Sequence, residues 1–168
     1  MSSDSAPEPW LRGAIEGVHP LLAPTLYAFQ QAREDLAHWT AGISDEQIRA
    51  RPHGVAPVGF QLRHIAGSVD RLTTYLKGAE LDAVRIDFLQ HEWDNGPGRE
   101  ALLSDVDKAL RESERVIRAI DPGTLAEPRS VGRERLPTTV AGLLVHLAEH
   151  TQRHVGQAIV TAKLLGGA

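Results

Sequence analysis

Cysteine is missing from the 168 residues. Its absence excludes disulfides, thiolate metal sites and a cysteine nucleophile, so any bound metal must be held by nitrogen and oxygen. It also fits a reducing compartment, and the expected location is the cytoplasm. Long hydrophobic runs are missing as well: no apolar stretch approaches the ~18 residues needed to span a bilayer. The opening Met1-Ser2-Ser3-Asp4-Ser5-Ala6-Pro7-Glu8-Pro9 has neither the basic nor the apolar segment of a secretory signal. Residues 1–9 are expected to form a mobile tail, and 10–168 a single domain. Excess charge is small, with Lys plus Arg at 18 against Asp plus Glu at 22 and a net charge of −4. A chain so mildly acidic has no global attraction to nucleic acid or to an anionic membrane, and neither is expected as a partner.

A segment of alternating strand pattern is also lacking, whereas helical periodicity is plentiful. Hydrophobic residues make up 42% of the chain, enough to argue against wholesale disorder. Four long proline-free windows each carry a helix-period stripe. The first helix is expected over about Pro20–Ala41, with Leu22, Leu26, Phe29, Arg33, Leu36 and Trp39 on one face. Ser44-Asp45-Glu46-Gln47 then reads as a capping box that opens a short turn, ended at Arg51-Pro52. The second helix is expected over about Val58–Lys77, the third over Glu100–Ile120, and the fourth from Thr138 or Thr139 to about Leu165. Two long connections remain, 79–98, with a short element around Val84–Leu89, and the polar 122–137. Four amphipathic helices of this length predict an all-α fold, a four-helix bundle in which the long connections permit a non-sequential up-down order.

Histidine is the residue in excess, with eight copies. Three of them, His146, His150 and His154, recur at spacing four in the last helix. Residues four apart lie one turn apart on nearly the same face, so two such imidazoles can converge on one cation. His146 and His154 are separated by ~12 Å of rise, too far to share an ion whose ligand nitrogens lie ~2.0–2.1 Å away. The pair is therefore His146/His150 or His150/His154, with a further ligand from another helix. His64 is the natural partner, because it lies inside the second helix off the centre of its apolar stripe. His38 falls near the end of the first helix, and His19, His53 and His91 fall in connections. Plainer readings apply elsewhere. His91 is expected to serve loop structure, Arg129, Arg133 and Arg135 a solvated loop, and Trp10, Trp39 and Trp93 packing in a core or interface.

Two blocks, Val58-Gly59-Phe60-Gln61-Leu62-Arg63-His64-Ile65-Ala66 and His146-Leu147-Ala148-Glu149-His150-Thr151-Gln152-Arg153-His154-Val155-Gly156-Gln157, resemble the DinB/YfiT-like superfamily. The resemblance implies an up-down-down-up bundle over roughly residues 15–165, a homodimer, and a three-histidine metal site. By position the ligands would be His64, His150 and His154, with His146 near the site but not a ligand.

Three neutral imidazoles would leave a divalent ion with open positions, the arrangement of a catalytic site. Zinc is the first choice, and nickel, iron or manganese would also accept nitrogen ligands. Such an ion could activate a low-molecular-weight thiol cosubstrate for transfer or isomerisation; with no cysteine in the chain, the thiol must come from outside. It could instead hydrolyse a small ester or amide. A third reading is a non-catalytic dimeric metal-binding stress-response module. Glu149, Asp70 and Glu92 are candidate acid/base groups, although helical projection turns Glu149 away from His150.

Overall fold

The computed structural model describes residues 6–94 and 96–166. Among these residues five α-helices run in the order α1 (Ala23–Trp39), α2 (Val58–Leu76), α3 (Ala83–Gln90), α4 (Arg99–Arg118) and α5 (Val140–Leu164). Between α4 and α5 lies an antiparallel hairpin of β1 (Pro128–Val131) and β2 (Leu136–Thr139), with Pro128 opposite Thr139 and Val131 opposite Leu136. The long helices α1, α2, α4 and α5 form the bundle, and α3 rests on α2.

The helix ends follow local chemistry. Ser44 and Gln47 exchange their backbone and side-chain hydrogen bonds at 2.9 and 3.2 Å, so the capping box forms and opens the short turn Gln47–Arg49. The Asp82 carboxylate accepts from the Arg85 amide and starts α3. The Thr139 hydroxyl accepts from the Gly142 amide and starts α5. α1 begins three residues later than expected, at Ala23 with Pro24 in its first turn, where the missing N–H costs nothing.

Cross-helix hydrogen bonds give the direction of each helix. Thr25 donates to the Leu144 carbonyl and Gln152 to the Ala28 carbonyl, so α1 and α5 run parallel. Thr161 donates to the Ala56 carbonyl just before α2, whereas His64, further along α2, meets His150; α2 therefore opposes α5. Gly59 lies beside Leu102 and Thr73 donates to Ser113, so α2 and α4 run parallel. Arg99 reaches back to Thr40 while Arg33 pairs with Asp107 and Glu114, so α1 opposes α4. The order is up-down-down-up. Each helix buries its stripe at the centre, where Phe29, Leu36, Leu62, Ile65, Leu110, Ile117 and Leu147 have almost no exposed surface.

Three readings of the sequence are corrected. The connection 122–137 contains a strand hairpin, whose four-residue strands are too short for an alternating pattern and include Pro128 and Pro137, tolerated because both strands are edges. Arg129 is not simply solvated: its Nε donates to the Leu76 carbonyl at the C-terminus of α2. Trp10 and Trp93 are 60% and 54% exposed, which removes the core from their expected core-or-interface role and leaves the interface. The expected mobile tail lies outside the described residues over 1–5; beyond it, Pro9 is buried and Arg12 pairs with Glu34.

Candidate metal centre

His64 projects from α2, and His150 and His154 project from successive turns of α5. The antiparallel packing of these helices puts the three imidazoles together: the ring centroids are 5.2 Å apart for His64 and His150, 4.2 Å for His64 and His154, and 4.6 Å for His150 and His154. One nitrogen from each ring lies within 4.8 Å of the others. All three residues are half-buried at the α2–α5 seam, beside the core but not inside it.

The outer nitrogens are held in place. Glu92 places one carboxylate oxygen 2.7 Å from His64 Nδ1 and the other 2.6 Å from Arg71, and it is only 3% exposed. Gln61 Oε1 lies 2.7 Å from His154 Nδ1. Carboxylate and amide oxygens only accept, so both Nδ1 atoms carry a hydrogen, and in the neutral form of each ring Nε2 keeps the lone pair. His150 Nε2 sits 3.0 Å from His64 Nε2, and His150 Nδ1 is buried without a partner. Two facing ring nitrogens can share one proton or point at one cation. Bonds of ~2.0–2.1 Å at right to tetrahedral angles place ligand nitrogens roughly 2.9–3.4 Å apart, which brackets this separation. The residues therefore fit a divalent ion that accepts nitrogen, and His150 is the ring that must move its proton to Nδ1 to join.

The electrostatics favour ligation. Burial, reinforced by neighbouring His64, pushes His150 down to about 4, and the same causes push His154 down to about 4. Both rings are neutral at pH 7, the form in which imidazole binds metal. The Phe60 ring stacks on His64 at 5.6 Å and on Trp93 at 3.7 Å, and covers one side of the cluster.

The remaining predicted groups separate cleanly. His146 is half-exposed and bonds Glu149 at 2.6 Å; with His150 these two form a second set of neighbouring donors. Glu149 is also tied to Arg153, so its oxygens are already engaged. Asp70 pairs with Arg85 on α3 and belongs to neither group of neighbouring donors. His91 ends α3 in solvent, bonded to the Asp87 carbonyl. Gln61 and Arg71 were missed by the sequence reading because each sits on the buried side of α2, where a polar residue shows its partner only in three dimensions.

The sequence profile of the DinB superfamily matches residues 28–158, a span that includes all three histidines and Glu92. The chain belongs to the DinB superfamily. Among solved structures, the DinB-superfamily bundle is similar to YfiT from Bacillus subtilis, described as a probable metal-dependent hydrolase with an unusual four-helix bundle topology. The two share 12% identity over 93% of this chain and 94% of YfiT, with a TM-score of 0.67. No curated protein sequence matches this DinB-superfamily chain.

Proposed function

We propose that the chain holds one divalent transition-metal ion on His64, His150 and His154, zinc first among the candidates, and acts as a metal-dependent enzyme on a small molecule. The observation that carries this reading is the 3.0 Å approach of two Nε2 atoms from different helices, next to a third ring whose Nδ1 is engaged by Gln61. When bound, such an ion acts as a Lewis acid and lowers the pKa of water or of a thiol placed on it. The chain's own contribution is to keep His150 and His154 neutral, fix the orientations of the His64 and His154 rings through Glu92 and Gln61, and shield one side with Phe60. Glu92 has both oxygens engaged, by His64 and Arg71, so we assign it no proton transfer.

Hydrolysis of an ester or amide is the first reaction to test, supported by the description of YfiT and the shared fold. Transfer or isomerisation with a low-molecular-weight thiol cosubstrate needs the same neutral, nitrogen-only site and is the second. We read the assembly as a homodimer, supported by exposed Val145, Val160 and Leu164 along α5.

The test is elemental analysis of dialysed protein after zinc loading, followed by a panel of generic esters, amides, and electrophiles offered with thiols. The expected result is about one ion per chain and turnover that disappears in His150→Ala while helicity persists. A folded protein that takes up no ion, or turnover unchanged in His150→Ala, overturns the proposal.

A further inference from the structure

Glu92 reaches His64 by an unusual route. It lies 28 residues further along the chain, in the turn after α3, and α3 itself buries no residue completely. The residue is nevertheless only 3% exposed, because its carboxylate enters the α2 surface over Gly67. A Cβ at position 67 would stand 2.6 Å from Glu92 Oε1, 2.6 Å from the Phe88 ring and 2.8 Å from Arg71 Nη1. The missing side chain is thus the seat in which the carboxylate, its arginine and the anchoring phenylalanine meet. No helix cap or turn requires glycine at this position inside α2.

We propose that Glu92 is a positioning residue for the metal centre, delivered by α3 into the notch at Gly67, and that it locks His64 as the Nδ1–H tautomer with Nε2 free for a cation. Arg71 holds the carboxylate from the other side at 2.6 Å and keeps it from rotating away from the ring. Gly67 has no side chain to offer a cation, yet it controls the tautomer of a candidate ligand through the group it admits. The proposal deepens the metal-centre reading and rests on it for affinity, while its tautomer component concerns the metal-free chain alone.

The experiment uses the full chain with 15N-labelled histidine rings, free of metal at pH 8, and reads the His64 tautomer from two-bond nitrogen–proton correlations. Wild type is expected to show Nδ1–H at His64. Glu92→Ala and Gly67→Ala are both expected to shift it toward Nε2–H, and zinc affinity is expected to fall ~10–100-fold in each. Gly67→Ala guards against misfolding of the Glu92 variant, since alanine is the better helix former and the displaced atoms are side-chain tips. An unchanged His64 tautomer in both variants overturns the proposal, as does unchanged zinc affinity where wild type binds zinc. A wild type that binds no zinc sinks the metal-centre reading instead, and the tautomer alone then decides for or against Glu92.

Discussion

Gln61 and His154 face each other across the α2–α5 seam, with the amide oxygen 2.7 Å from ring Nδ1 and the glutamine 2% exposed. A buried amide facing an imidazole fixes which nitrogen looks inward. Gln61→Leu keeps the volume but removes the acceptor, leaving the Nδ1–H buried without a partner. The expected outcome is a fall of ~10–100-fold in zinc affinity, read by competition with a chromophoric chelator. Equal affinity in the variant would show that His154 needs no such anchor.

His146 provides the contrast on the same helix. It is half-exposed and paired with Glu149, one turn before the cluster. His146→Ala is expected to retain near-stoichiometric metal, whereas His154→Ala loses most of it. Inductively coupled plasma measurement on both variants decides, and loss in His146→Ala alone would move the site to the His146–Glu149–His150 set.

Acid should destabilise the metal-free protein through its buried rings. His150 and His154 sit at about 4 when folded, chiefly because burial disfavours the charged form. The unfolded value is about 6.5. Between those limits the unfolded chain takes up protons that the folded chain refuses, so stability falls as pH drops from about 6.5 toward 4; these two groups contribute no slope above that window. Urea midpoints at pH 7, 6 and 5 measure the decline. His150→Gln removes one of the two groups, and its decline should be shallower; an equally steep one contradicts the assignment.

Phe29 has no exposed surface and sits where α1 meets the core. Phe29→Ala should cost about 3–5 kcal/mol of unfolding free energy, by lost burial plus the cavity left behind. Denaturant titration measures it, and the folded fraction should keep its metal, since α1 supplies no donor to the cluster.

Much of this was legible from residue spacing. Leu62, Ile65, Val69, Leu72 and Leu76 mark α2 as a stripe, and Ser44 with Gln47 announces a capped turn. The histidine spacing on α5 limited the inward pair to two choices, and the position of His64 on α2 supplied the third ring. What spacing could not supply was the partner of each ring. Glu92 arrives in the turn after a short helix whose Val84, Phe88 and Leu89 are exposed, so no periodic pattern points to its destination. Gly67 looks like a tolerated helix glycine until its neighbours are known. The hairpin escaped because four-residue strands that each hold a proline among polar residues carry no strand signature.

The parallel pairing of α1 with α5 joins residues as distant as Ala28 and Gln152, 124 positions apart. On the ribosome, the first helix therefore emerges long before its main apolar neighbour exists, and most of its greasy side waits for the final helix. Such non-local closure slows folding. It also means that a chain cut short before α5 loses two of the three clustered imidazoles and the wall of α1 in one stroke, so half-made copies have neither the bundle nor the candidate metal centre.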